Sequence, residues 1–127
     1  MNRYAYLSVI GSEKDIGQLR SMIDLDGARV VTPRGGIAPR VIWNSPKQLF
    51  ADPPAPDEVS RFFERYGDAL APLLGFAPGT FDIYLEIVAE GGPPDDETPG
   101  GFFLSASDIA WIGRFGAALD IDLIWRI

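Results

Sequence analysis

In two segments of the chain every second side chain is apolar, and this pattern limits the possible folds more than any other feature. In residues 81–90 the apolar members are Ile83, Leu85, Ile87 and Ala89. In residues 119–127 they are Leu119, Ile121, Leu123, Trp125 and Ile127. Because successive side chains of a strand point to opposite faces, the pattern predicts two strands, each with one apolar face. Such a face has to be covered by another layer of structure.

Further strands and helices are predicted around these two segments. A strand is expected at residues 3–10, ending at Gly11, and shorter strands at 28–32 and 40–43. The four prolines of residues 45–56 predict a surface connection.

Three helices are predicted from capping residues and from apolar side chains at three- and four-residue spacing. Ser12 with Asp15 and Ser105 with Asp108 have the spacing of an N-cap and its third helical residue. The first helix should run to about Ile23, and the last should close at Gly116. A middle helix should open at residues 57–58 and kink or stop early near Pro72.

The resulting order, β-α-β-β-α-β-α-β, mixes hairpin and crossover connections. We therefore predict an α+β two-layer sandwich, in which a mixed or antiparallel sheet carries the helices on one face. A chain of 127 residues has the size of one domain, so residues 1–127 are expected to form a single unit.

The chain has no cysteine and no histidine. This excludes disulfides, thiolate nucleophiles, Ser-His-Asp triads and metal sites built from thiolate or imidazole, and we expect no cofactor. The first residues lead directly into a strand pattern without a signal-peptide block, and the apolar runs are too short to span a membrane. A cytoplasmic protein without membrane contact is the expectation.

The net charge of −7 argues against a nucleic-acid partner, and the charge is unevenly distributed. Residues 27–51 contain four basic residues and no acid: Arg29, Arg34, Arg40 and Lys47. Residues 82–127 contain nine acids and only two bases, Arg114 and Arg126. A partner of the C-terminal half is therefore expected to be basic.

The C-terminal part of the chain resembles a bacterial family of unknown function, the DUF4279 family. The matching residues are Leu104-Ser105, Asp108-Ile109, Gly116-Ala117 and Leu119-Asp120-Ile121-Asp122. Thr32-Pro33 and Trp43 add a looser similarity, whereas Leu25-Asp26-Gly27 departs from the family pattern. The resemblance supports the fold, and it implies no catalytic residues because the family has no assigned activity.

Carboxylates supply two candidate sites. Asp95, Asp96 and Glu97 form an acidic loop that could bind a hard cation, although their spacing matches no EF-hand and a solvated loop is favoured. Asp120 and Asp122 share one face of the last strand. Asp82, Glu86 and Arg126 could join this pair if their strands are neighbours, but a solvated pair is favoured over a catalytic one.

Two other sets of residues are candidate sites. Arg34 and Arg40, around Gly35-Gly36, could bind a small anion, although a mobile cationic loop is favoured. Ser12 and Ser105 are already explained as helix caps. On the sheet face away from the helices, a partly apolar surface is expected from Tyr6, Tyr84, Val88 and Ile124.

The leading functional hypothesis is a non-enzymatic module that binds another macromolecule through this face and its charges, with an immunity or antitoxin role as one analogy. A basic protein partner and a homodimer are both possible occupants. Two alternatives remain open: a carboxylate-based or metal-dependent hydrolase using Asp95, Asp96, Asp120 or Asp122, and a small-anion sensor using Arg34 and Arg40.

Overall fold

Six strands form one mixed sheet in the computed structural model, which describes residues 2–33, 40–50, 57–91 and 102–125. The order across the sheet is β2-β3-β1-β5-β6, and β4 also pairs with β1. The strands are β1 (Asn2–Ser12), β2 (Arg29–Val31), β3 (Arg40–Asn44), β4 (Gln48–Leu49), β5 (Asp82–Gly91) and β6 (Ala118–Trp125). The predicted α+β sandwich with a mixed sheet is confirmed.

The helices begin and end close to their predicted positions. They are α1 (Glu13–Met22), α2 (Glu58–Leu70) and α3 (Ala106–Phe115), and a five-residue 3-10 helix, Ala71–Gly75, follows α2. Ser12 Oγ accepts a hydrogen bond from the backbone N–H of Asp15, as the N-cap spacing predicts. Pro72 cannot donate the next helical hydrogen bond, so α2 gives way to the tighter 3-10 turn.

Pairing within the sheet is antiparallel except at its C-terminal edge. β1 lies at the centre, antiparallel to β3 on one side and to β5 on the other. β6 pairs parallel to β5, because the chain crosses over through α3 between these strands. The sheet therefore ends at β6 on one side and at β2 on the other.

One sheet face and the helices enclose the hydrophobic core. Ala5, Leu7 and Val9 of β1 are fully buried, together with Leu85 and Ile87 of β5. The helices cover them with buried apolar side chains: Ile16, Leu19, Val59, Phe62, Phe63, Leu70 and Phe115. The described helices thus lie on one face, and the alternate side chains of the strands form an open face.

Two expectations about local structure are wrong. β1 continues through Gly11 to Ser12, because this glycine permits close packing and does not act as a strand breaker. A Cβ at Gly11 would lie 2.7 Å from Cδ1 of Phe81. The proline-rich connection also contains a short strand, β4, whose Gln48 and Leu49 pair with Ala5 and Tyr4.

None of the helices in the described part of the chain is long and apolar enough to cross a membrane.

Candidate functional site

The residues predicted to bind a partner all lie on the open face of the sheet. Tyr6 is the cross-strand neighbour of Glu86, and Val88 is the neighbour of Asp122. The same register places Tyr84, Asp120 and Ile124 on this face. Val88 is itself only 4% exposed, so it contributes to the interior of this face and offers little contact surface.

Three carboxylates meet where β5 and β6 pair. Glu86 lies opposite Asp120, and Asp122 follows two residues later on the same face. Oxygen atoms of the three carboxyl groups all lie within 4.8 Å of one another. We call Glu86, Asp120 and Asp122 the acidic cluster. Asp82 does not join it, because its Oδ2 lies 2.7 Å from Nη2 of Arg40; Arg126 lies outside the described residues.

The acidic cluster holds a proton at neutral pH. The pKa of Glu86 rises from its ordinary 4.5 to about 8, chiefly because partial burial disfavours the charged form. A hydrogen bond with Asp120 and the negative charges of Asp120 and Asp122 raise it further. Protonated Glu86 can donate to Asp120, and this shared proton reduces the repulsion among the three groups.

Tyr6 borders the acidic cluster on its β1 side. Its pKa is raised, first by partial burial and then by the negative charge of Glu86, with smaller contributions from Tyr4, Asp122 and Asp120. The phenol of Tyr6 therefore stays protonated and can donate a hydrogen bond.

β6 is exposed on both of its faces. Leu119, Ile121 and Leu123 point to the helix side, yet they are 40%, 43% and 60% exposed because the helices do not extend over this strand. Ile124, on the open face, is 38% exposed. Within the described residues no further strand pairs with β6. An apolar edge strand of this length is normally protected or occupied by a partner.

The acidic cluster has ligands suited to a hard cation. Carboxylate oxygens are the ligands that Ca²⁺ and Mg²⁺ prefer, and three converge here from two strands. The other predicted acidic candidate, Asp95–Glu97, lies outside the described residues. The sequence alone places Asp120 and Asp122 on one face. It predicts that Glu86 joins them only if the strand of Glu86 lies next to theirs.

Of the predicted anion site, the structure describes Arg40 alone, and this residue pairs with an acid. Its Nη2 lies 2.7 Å from Oδ2 of Asp82 and 3.5 Å from the carbonyl oxygen of Ile10, so its charge is already balanced. Arg34 lies outside the described residues. A separate cationic groove on the open face, lined in part by Arg29 and Lys47, was not predicted.

Both candidate serines act as helix caps. Ser105 Oγ accepts from the N–H of Asp108, and the Asp108 carboxylate accepts from the N–H of Ser105 and from the hydroxyl of Ser60. Asp108 is 1% exposed, so this network stabilises the start of α3 and its packing against α2.

No family model, no curated protein and no solved structure that was compared with this chain matches it. The resemblance to the DUF4279 family therefore stays a prediction. Function has to be inferred from the geometry of the open face and its edge.

Proposed function

We propose that this protein is a binding module that takes up an extended, basic segment of a partner protein along β6. The observation that supports this proposal is a sheet edge that no strand of the described residues occupies, combined with side chains of two kinds. One face of β6 offers Leu119, Ile121 and Leu123, and the other offers Asp120 and Asp122. A strand added at this edge would gain backbone hydrogen bonds and side-chain contacts on both faces.

Charge complementarity favours a basic partner strand. Partial burial of Glu86, together with the repulsion from Asp120 and Asp122, raises its pKa to about 8, so that this group is protonated near neutral pH. No arginine or lysine in the described residues forms an ion pair with Asp120, Asp122 or Glu86. A lysine or arginine placed opposite Asp120 would offset this repulsion and allow Glu86 to ionise.

A second copy of the chain fits the same edge poorly. An antiparallel β6–β6 pair centred on Ile121 would place Asp120 of one copy opposite Asp122 of the other. Like charges directly opposite each other destabilise a strand pair. The acidic cluster therefore disfavours this homodimer and leaves a basic segment as the occupant.

A carboxylate-based hydrolase is the second candidate. It is favoured by the raised pKa of Glu86, which keeps this group protonated beside two aspartates. A protonated carboxylic acid beside ionised carboxylates is an arrangement that can run acid–base chemistry. Calorimetric titration with Mg²⁺, Ca²⁺ and Mn²⁺ separates the candidates. We expect no micromolar binding; such binding, lost in Asp120→Asn, would favour the metal-dependent form of the hydrolase.

The test of the binding module uses a synthetic nine-residue peptide that alternates valine and lysine. We expect saturable binding by fluorescence anisotropy, with amide protection along β6 in hydrogen-exchange NMR. A peptide with glutamate in place of lysine tests charge, and one with a central proline tests strand pairing, because proline lacks the N–H that the edge requires.

The matched protein variants are Asp120→Asn with Asp122→Asn, and Asp68→Asn on the exposed face of α2. Binding should fall about tenfold or more in the first variant, from loss of charge-assisted contacts, and stay unchanged in the second. Equal binding of the lysine and glutamate peptides, or protection elsewhere than β6, would contradict the proposal. Self-association in light scattering that depends on β6 would show a second copy as the occupant.

A further inference from the structure

A groove on the open face lies on the far side of Tyr6 from the acidic cluster. Its volume is about 430 Å³, within the range typical of small-molecule sites. β1, β2, β3 and the segment before β4 supply its lining: Tyr6, Gly27, Arg29, Val31, Asn44, Ser45, Pro46 and Lys47. Because β1 lies between β3 and β5, the open face has a cationic groove at one end and the acidic cluster at the other.

Two cations of this groove have no carboxylate partner among the described residues. Arg29 forms no ion pair with any described residue, and Lys47 forms none either. Lys47 Nζ lies 4.3 Å from the ring centroid of Tyr4 and 6.0 Å from that of Tyr6, so the two tyrosines position its ammonium group. The chain has 18 acidic and 11 basic residues, yet no acid that the structure describes pairs with either of these two cations.

Asn44 supplies an independent observation at the same place. Its side-chain oxygen Oδ1 is buried and has no hydrogen-bond partner among the described residues. A buried acceptor that stays unsatisfied costs roughly 1–3 kcal/mol. The neighbouring Ser45 hydroxyl is fully used, since it accepts from the N–H of Leu7 and donates to the carbonyl of Pro46. Asn44 therefore has hydrogen-bonding capacity that no other described residue uses.

We propose that this groove binds a small phosphate monoester whose carbon body bears hydroxyl groups, such as a sugar phosphate. The dianionic phosphate matches the two positive charges of Arg29 and Lys47, and the Tyr6 hydroxyl can donate to the same oxygens. A ligand hydroxyl donates to the Asn44 amide oxygen, which a rotation about χ2 turns toward the ligand. This site is separate from β6 and does not depend on the proposed partner segment.

Ribose 5-phosphate, inorganic phosphate and ribose are the probes, titrated into the full chain and followed by calorimetry and by amide shifts in NMR. We expect ribose 5-phosphate to bind most tightly, inorganic phosphate more weakly, and ribose not at all. Shifted amides should cluster at residues 27–31 and 44–47. Arg29→Gln and Lys47→Gln should each weaken both phosphate probes about tenfold.

Matched variants separate the individual contacts. Lys14→Gln removes an exposed cation of α1 that lies outside the groove lining, and it should leave binding unchanged. Asn44→Ala should weaken ribose 5-phosphate but not inorganic phosphate. The proposal is overturned if no probe binds saturably at millimolar concentration, if Lys14→Gln weakens binding as much as Arg29→Gln, or if ribose binds as well as its phosphate. Arg29 and Lys47 are exposed, so neither variant threatens the fold.

Discussion

Glu86 lies directly opposite Asp120 in the parallel pairing of β5 with β6, and their carboxyl groups share one proton. Partial burial, the hydrogen bond with Asp120 and the neighbouring negative charges raise the pKa of Glu86 to about 8 in the folded protein, whereas an unfolded chain would show its ordinary value of 4.5. A group whose pKa is raised on folding stabilises the folded state below the unfolded value. That contribution is lost as the pH rises through the folded value.

The free energy of unfolding should accordingly fall between about pH 5 and pH 8 because of Glu86. Glu86→Gln keeps a hydrogen-bond donor toward Asp120 without the titration, so its stability should depend less on pH over this range. Urea denaturation of both proteins at pH 5, 6, 7 and 8 measures the difference. Glu64→Gln, on the exposed side of α2, is the control. Parallel pH profiles for wild type and Glu86→Gln would contradict the raised pKa.

Gly67→Ala should destabilise the protein although alanine favours helices. A Cβ at this position would lie 2.9 Å from Cη2 of Trp111. The Trp111 ring cannot move freely, because it stacks on Phe63 at 5.8 Å and on Phe115 at 5.7 Å. We expect the free energy of unfolding to fall by about 1–2 kcal/mol, since the cost of overpacking exceeds the gain in helix propensity.

Gly17→Ala is the matched control for this substitution. Gly17 is exposed in the middle of α1, and a Cβ there would meet nothing within 4 Å. This variant should gain up to about 1 kcal/mol in unfolding free energy from helix propensity alone. Changes of opposite sign in thermal denaturation would support the packing argument; stabilisation by both substitutions would refute it.

Glu58→Gln should lower the free energy of unfolding far more than the removal of a surface ion pair does. Glu58 Oε2 lies 3.9 Å from Nη2 of Arg3, and both side chains are 5% exposed. The Arg3 guanidinium also lies 4.7 Å from the ring centroid of Phe102, so it is held in a largely apolar setting. Because both groups of this pair are buried, removing the charge of Glu58 should lower the free energy of unfolding by about 3 kcal/mol.

The control is Arg61→Gln, which breaks the half-exposed ion pair with Asp57 at 3.4 Å. Exposed pairs of this type contribute less than about 1 kcal/mol. Chemical denaturation should therefore show a clearly larger loss of unfolding free energy in Glu58→Gln than in Arg61→Gln. Similar losses would mean that the Arg3–Glu58 contact is not desolvated in solution.

Association with the valine–lysine peptide should depend on salt and on pH. Exposed charge of one sign accelerates association with an oppositely charged partner, and salt screens this effect. Affinity should also rise from pH 6 to pH 8, as Glu86 loses its proton and adds a negative charge. Stopped-flow rates from low to high ionic strength are the measurement. A rate indifferent to salt, or unchanged in Asp120→Asn with Asp122→Asn, would show that the acidity has no role in recognition.

Most elements of the fold were predictable because local patterns and global packing agree. Ser12 and Ser105 cap helices as their spacing predicts, and Gly116 ends α3 with φ 63°. Gly11 was misjudged because a glycine that permits close packing looks the same in sequence as one that breaks a strand. β4 was missed because two residues between prolines show no periodicity.

The candidate sites were less predictable because they depend on strand order. Asp120 and Asp122 share a face by local geometry alone, but the participation of Glu86 requires β5 to be next to β6. The cationic groove brings together Arg29, Asn44 and Lys47 through the pairing of β2 with β3 and the position of the segment before β4. The signal in the sequence was the basic segment of residues 27–51. This segment does not show that Arg40 pairs with Asp82 while Arg29 forms no ion pair with any described residue.

The exposure of β6 on both faces also makes this strand the first part of the sheet expected to open. A strand with few buried side chains detaches at a lower free energy than the central strands. When β6 detaches, Glu86 becomes more exposed to water and loses Asp120 and Asp122 as neighbours, so its pKa falls and it releases its proton at neutral pH. Opening of the edge is therefore coupled to proton release, and a rise in pH increases the population of molecules in which β5 is exposed for pairing.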